Sequence, residues 1–239
     1  MSRITETEGD LFDAPENTAL IHACNCQGSW GKGIAETFRA KYPAAYRIYR
    51  SHCQRYLVDG KKLSENSKDT PGRALRYPEG TALLIPPQPD DYIPQNGPDS
   101  AVTPSTQGKK GGGRATRRSL PKHRPAGKKH WIVCLFTSWH YSAKLKSSPD
   151  VILENTILAL GDLKRQLEEL QSSKRDGRES ALDVSESEKE ERRLVEAPTE
   201  IWSCRFNAGL FGVPWQKTKA LMEESGWQVT VVRPVGEPL

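Results

Sequence analysis

The stretch from Leu20 to Ala35 most limits what this chain can fold into. It begins as an apolar run and passes through small and polar residues. Gly28, Gly31 and Gly33 then fall within six positions, and the stretch opens on a helical spacing. That is a buried strand, a glycine-rich loop and a helix N-terminus in succession. Backbone amides at such a junction lack intrahelical acceptors, and the helix dipole adds partial positive charge there. Glycine lets the backbone come close to a ligand. An anion, and phosphate above all, suits such a place. A tight strand-to-helix turn with no ligand would use the same residues, and loop composition alone does not choose between the two.

The rest of the chain alternates strands and helices around this junction. Ile4 to Thr7 alternates weakly as a first strand, and Gly9 and Asp10 form a turn that carries a fixed carboxylate. Ala19 to Ala23 is almost continuously apolar and is predicted to be buried on both faces, with His22 near its carboxyl end. Ile34, Phe38 and Tyr42 mark one helix face, Pro43 breaks or restarts that helix, and Tyr46 and Tyr49 continue an apolar side. The stretch from Leu57 to Pro78 is polar and turn-rich and is expected to be a loop. Thr81 to Ile85 is a further strand, and Trp131 to Thr137 is the strongest one, apolar on both faces and therefore central. His140 follows that strand, either as a ligand contact or as an exposed loop residue.

Pro149 opens a helix with Leu153, Ile157, Leu160, Leu163, Leu167 and Leu170 at spacings of three and four. Glu200 to Phe206 and Gln228 to Val232 are the last strands, with a helix carrying Leu221 and Met222 between them. Such alternation predicts an α/β layered domain with helices on both faces of a sheet.

Two stretches do not fit a packed layer. From about 87 to 128 the chain lacks apolar periodicity, and from 172 to 197 it is a mixed-charge run; both are expected to be disordered or loop insertions in a single domain spanning 1–239, with a solvated extension of the preceding helix as the alternative for the second. Between Ser105 and His130 stand nine Lys or Arg and no acid, whereas the whole chain carries +5, so the remainder carries −4. The basic character therefore belongs to one segment. Nucleic acid is expected to be touched only through residues 105–130, which interleave no aromatic platform for base stacking between Ser105 and Arg124. The five cysteines, at 24, 26, 53, 134 and 204, are an odd number without zinc-knuckle spacing, which argues against a disulfide framework and a structural zinc. No bound metal and no cofactor are expected. No apolar run is long enough to cross a membrane. The expectation is a monomer of the cytoplasm, with the nucleus as a second compartment.

A second glycine-bearing loop, Asn207 to Trp215, also leads from a strand into a helix, with Pro214 in its first turn. Two amide-rich loops at the carboxyl edge of one sheet suit a ligand with two phosphates and a sugar beside them. Together with Gly9-Asp10-Leu11 and Cys134-Leu135-Phe136-Thr137-Ser138, these loops resemble the macrodomain superfamily, and most of all its fungal ADP-ribose 1''-phosphate phosphatases. The resemblance spans nearly all of the chain outside the two insertions. It implies a three-layer α/β/α fold with a mixed central sheet, and ADP-ribose or ADP-ribose 1''-phosphate as the small-molecule ligand.

Carried over by position, the resemblance implies that Asp10 accepts the adenine amino group, with Gly9 and Leu11 beside the base. Ala23, Cys24, Asn25, Gly31, Lys32, Gly33, Ile34, Ala35 and Glu36 would hold the distal ribose and its phosphate. Asn207, Ala208, Gly209, Leu210, Phe211, Gly212, Val213 and Pro214 would cradle the diphosphate, with Phe211 near the sugar. His22 is the expected group for proton transfer or for orienting water, and Asn25 its catalytic partner. Some related macrodomains that hydrolyse ADP-ribosyl-glutamate esters use a lysine after the corresponding central strand and an aspartate in the second loop. Here Ser138-Trp139 and Phe211 stand in those places, which makes that covalent chemistry a poor fit. A reader of ADP-ribose without turnover, or an ADP-ribosyl hydrolase, is the alternative that the same loops would serve.

Overall fold

The computed structural model describes residues 3–59, 76–93, 127–176 and 196–237. Six strands form one sheet: β1 (Arg3–Glu8), β2 (Ala19–Asn25), β3 (Ala82–Ile85), β4 (Trp131–Ser138), β5 (Ile201–Cys204) and β6 (Gln228–Arg233). Their order across the sheet is β1-β6-β5-β2-β4-β3. All neighbours pair in parallel except β3, which runs antiparallel to β4, so the sheet is mixed. The helices are α1 (Ile34–Lys41), α2 (Pro43–Asp59), α3 (Pro89–Tyr92), α4 (Pro149–Asp176) and α5 (Trp215–Glu224). A 3-10 turn, Leu11–Asp13, follows β1.

The pleat of β2 and β4 sorts their side chains into two layers. Leu20, His22 and Cys24, with Ile132, Cys134 and Phe136, join Phe38, Tyr42 and Tyr49 on the α1–α2 side. Ala19 and Ile21, with Trp131, Val133 and Leu135, join Leu160 and Leu163 of α4 and Trp215 and Met222 of α5 on the other. Helices therefore cover both faces, the α/β/α arrangement expected from the alternation. All eight residues of β4 are buried, which confirms it as an interior strand with apolar groups on both faces.

Pro43 separates α1 from α2, because a proline nitrogen cannot donate into the preceding turn. The α2 N-terminus is capped from a distance: the buried Asp91 carboxylate of α3 accepts the Ala44 and Ala45 amides at 2.7 and 3.0 Å. Burial pushes the Asp91 carboxyl up, against the pull of those two amides. Two expectations are corrected here. The stretch predicted to be an insertion from 87 begins with a folded helix at Pro89–Tyr92, held by that cap. The polar stretch predicted to be a loop from Leu57 starts inside α2, which continues to Asp59. The run from 172 opens as a continuation of α4, which reaches Asp176. Residues 94–126, which include most of the basic segment, and residues 177–195 lie outside the described residues. His130, the last residue of that segment, is buried, with Nδ1 2.6 Å from the Tyr42 hydroxyl and Nε2 3.0 Å from the carbonyls of Ala14 and Pro15.

At the far edge, Glu6 of β1 accepts Arg205 at 2.8 Å, Lys219 at 2.8 Å and the Trp215 indole at 3.3 Å. Burial alone would raise the Glu6 carboxyl, but these donors outweigh it and hold it down at about 2. Among the described residues no helix is long and apolar enough to cross a membrane.

Candidate functional site

Parallel pairing brings the carboxyl ends of β2, β4 and β5 to one edge of the sheet, side by side. Three connections leave from that edge: the first glycine loop (26–33), the β4–α4 connection (139–148) and the second glycine loop (205–214). The β2–β4 register slips between Cys24 and Asn25, so that Asn25 pairs with Ser138. A slip of this kind bends the strand end and redirects its side chains.

The first loop is built on aromatic packing. The Trp30 ring stacks on Tyr49 at 4.9 Å between centroids, and the Tyr49 hydroxyl donates to the Asn25 carbonyl at 2.7 Å. Gly28 has φ +72°, and a Cβ there would lie 3.3 Å from Cys53 Cβ and 3.4 Å from the Arg50 backbone. A glycine is needed because the loop presses directly on α2. The Asn25 side chain folds into its own loop: Oδ1 accepts the Gln27 and Ser29 amides at 3.0 and 3.3 Å, and Nδ2 donates to the Ser29 carbonyl at 2.6 Å. Beyond it, Gly31, Lys32, Gly33, Ile34 and Glu36 are exposed, and Ala35 is half-buried.

The second loop is built on polar anchors. Asn207, at φ +66°, is buried. Its Oδ1 accepts the Thr137 hydroxyl at 2.9 Å, and its Nδ2 donates to Thr156 Oγ1 at 2.9 Å and Thr218 Oγ1 at 3.5 Å. One amide thus ties the loop to β4, α4 and α5. Phe211 and Val213 pack on Ile152 of α4 and on Ala23 of β2. Ala208 is half-buried, and Gly209, Leu210, Gly212 and Pro214 face solvent. The two loops meet: a Cβ at Gly33 would lie 3.9 Å from Leu210 Cδ1. Ala23, half-buried at the end of β2, lies between the two anchoring regions.

Asp10 and its neighbours complete the edge. One oxygen of the exposed Asp10 carboxylate accepts the Phe12 amide at 3.0 Å, which fixes the group. Leu11 and Phe12 are buried, and the Phe12 ring meets Phe38 of α1 at 4.9 Å, so this turn is docked against the first loop's helix. Gly9 is exposed, with its amide bonded to the Arg233 carbonyl at 3.0 Å.

His22 lies in the core on the α1–α2 side of the sheet. It is fully buried, its ring stacked on Phe38 at 4.1 Å and set edge-on to Trp30 at 4.9 Å. The reason is the strand period of two: the face of β2 that carries Leu20 and Cys24 carries His22 into the α1–α2 core. The Asn25 side chain is likewise spent on its own loop. In this structure the His22 ring packs against Phe38 and Trp30, and the Asn25 side chain bonds within the first loop. Cys24 is buried beside them; burial would raise its thiol, but the Cys134 thiol and His22 outweigh that and bring it to about 5. The ligand atoms of His22, Cys24 and Cys134 lie within 4.8 Å of one another. Cys24 Sγ is nearly equidistant from the two ring nitrogens of His22, 3.7 Å from Nδ1 and 3.5 Å from Nε2.

Several site residues carry no readable signal in the sequence. Ser138 and Ser147 close the β4–α4 connection on itself: the Ser147 amide donates to Ser138 Oγ at 3.1 Å, and the Trp139 amide to Ser147 Oγ at 3.0 Å. Buried Glu79 accepts the Ser147 hydroxyl at 3.3 Å and Asn155 Nδ2 at 3.4 Å. Lys146 reaches from the same connection to the second loop. His140 is half-exposed there, its Nδ1 accepting the Ser142 amide at 2.9 Å.

Comparison with known proteins places this geometry. The chain is 51% identical over 254 aligned residues to an ADP-ribose 1''-phosphate phosphatase of Ajellomyces capsulatus, covering 99% of this chain and 98% of that one. It belongs to the ADP-ribose 1''-phosphate phosphatase family. The proteins of that name from Aspergillus fumigatus and Neosartorya fischeri are 46% and 47% identical, each over 98% of this chain and 96% of their own. No protein-family model matches the chain. Among solved structures, the macrodomain of Thermus aquaticus DarG matches with a TM-score of 0.50 at 18% identity, over 98% of this chain and all of that one. Thermosipho africanus DarTG, solved with ADP-ribose, matches with 0.50 at 14% identity over 98% of this chain and 42% of its own. The fold is that of a macrodomain, as the combination of loops implied.

Proposed function

We propose that this protein hydrolyses ADP-ribose 1''-phosphate to ADP-ribose and phosphate, with the ligand held between the two glycine loops. The observation that carries the proposal is the approach of Gly33 to Leu210, which joins two exposed, amide-rich loops over the end of β2. The nearly full-length likeness to proteins named for this reaction supports it. In the proposed reaction a water oxygen bonds to phosphorus and the bond from phosphorus to the 1''-oxygen of ribose breaks. The water gives up a proton, and the departing oxygen gains one. Amides of the first loop and the Lys32 ammonium offset charge on the phosphoryl oxygens. The Asp10 carboxylate accepts the adenine amine, and the second loop holds the diphosphate. With His22 in the core, His140 takes its place in the proposal as the imidazole for proton transfer: it reaches solvent at the site edge, and its Nδ1 is already committed to an amide.

A second reading has its own support. His22 and Asn25 are both occupied structurally, which suits a reader that binds ADP-ribose without turnover. Phosphate release from ADP-ribose 1''-phosphate in EDTA, with ADP-ribose binding on the same sample, separates the two. Release supports a phosphatase that needs no metal. Binding without release supports the reader, and failure of both overturns the placement of the ligand. Release retained in His140→Gln would remove that residue from the proposed mechanism.

A further inference from the structure

We infer that Lys146 is the positioning residue that aims the second loop at its anion, an inference that rests on reading that loop as the diphosphate cradle. Lys146 Nζ donates to two successive carbonyls, Leu210 O at 3.1 Å and Phe211 O at 2.8 Å. A Cβ on Gly212, at φ +74°, would come within 3.0 Å of the same nitrogen, so the ammonium lies flat against the loop backbone. In a trans peptide the carbonyl and the next amide point opposite ways. Drawing the Leu210 carbonyl toward Lys146 therefore turns the Phe211 N–H to the other side of the loop. Drawing the Phe211 carbonyl does the same for the Gly212 N–H, which closes the turn onto the Gly209 carbonyl at 3.0 Å.

The cation also polarises both peptide groups in the sense that makes their N–H ends more positive. The base of the lysine is itself held: its amide donates to the Ser142 carbonyl at 2.9 Å, and the next residue is locked to Ser138. Lys146 thus couples the β4–α4 connection to the second loop across the site edge. An ammonium has three donors, and these carbonyls take two.

The test compares Lys146→Met and Lys146→Arg with the wild type for binding of ADP-ribose and of adenosine, which lacks the diphosphate, alongside thermal stability. The expected result for Lys146→Met is an affinity for ADP-ribose weaker by about tenfold or more, consistent with a charge-assisted pair at a polar site. Adenosine binding and melting temperature stay unchanged, and Lys146→Arg recovers most of the loss. Equal ADP-ribose affinity in Lys146→Met and wild type would overturn the inference while leaving the proposed function standing. A parallel loss for both ligands with a lower melting temperature would overturn it too, by making Lys146 a general fold contact. A wild type that binds no ADP-ribose would instead overturn the reading of the loop on which the inference rests.

Discussion

The two glycine loops leave the same sheet edge and run into helices alike, yet they are held by opposite means. The first rests on a slab of rings, with His22, Trp30, Phe38 and Tyr49 in successive contact. The second hangs from a buried amide, Asn207, and from the Lys146 ammonium on its carbonyls. Apolar packing is non-directional, so the first loop tolerates small shifts but collapses when volume is lost. Hydrogen bonds are directional, so the second loop keeps its shape only while each partner is present. The sheet edge thus combines a loop stabilised by volume with a loop stabilised by geometry.

Four substitutions would break or sharpen this contrast. Trp30→Ala should have the largest effect, destabilising the fold by about 3–5 kcal/mol because it opens a cavity under the first loop; chemical denaturation measures it, and a loss under 1 kcal/mol would contradict the packing account. Gly31→Glu should weaken ADP-ribose binding at least 100-fold, by placing bulk and negative charge at the proposed phosphate position, with the melting temperature almost unmoved since Gly31 is exposed. Calorimetric binding that survives this change would take the anion away from the first loop. Asn207→Ala should cost about 2 kcal/mol of stability, since it leaves the Thr137, Thr156 and Thr218 hydroxyls without this partner and puts alanine at φ +66°. Asn207→Gly, which removes the strain but not the loss of bonds, should recover only part of it.

The smallest effect should come from Glu6, away from both loops. Its carboxyl is held at about 2 in the folded protein, below its ordinary value of 4.5, so it stabilises the fold above pH 4.5 and loses that contribution as pH falls toward 2. Glu6→Gln should lower stability by about 1–2 kcal/mol at pH 7. The difference from wild type should shrink on acidification, and a difference that grows below pH 4 would reverse the assigned sign.

The layered architecture was legible in sequence because it follows from local periodicity. The apolar run of β4, the spacing along α4 and the two strand–glycine–helix junctions each depend on neighbours within a few residues, and each is in place. Both loops stand at one edge because parallel strands must end on the same side. What the sequence alone did not determine is which way a polar side chain points. His22 reads the same whether its strand face meets solvent or core. That choice is set by the covering helices, and Phe38 and Trp30 close over it. Asn25 is a plausible ligand in sequence, but the register slip turns it into its own loop. Asp91 caps a helix that begins 48 residues earlier in the chain, and Lys146 bonds a loop 64 and 65 residues later. Contacts across such separations have no local pattern, because their partners are chosen by packing. Sequence periodicity therefore determined the layers and the two loops. Only the tertiary structure decided which side chains reach the loop surfaces and which hold the loops from behind.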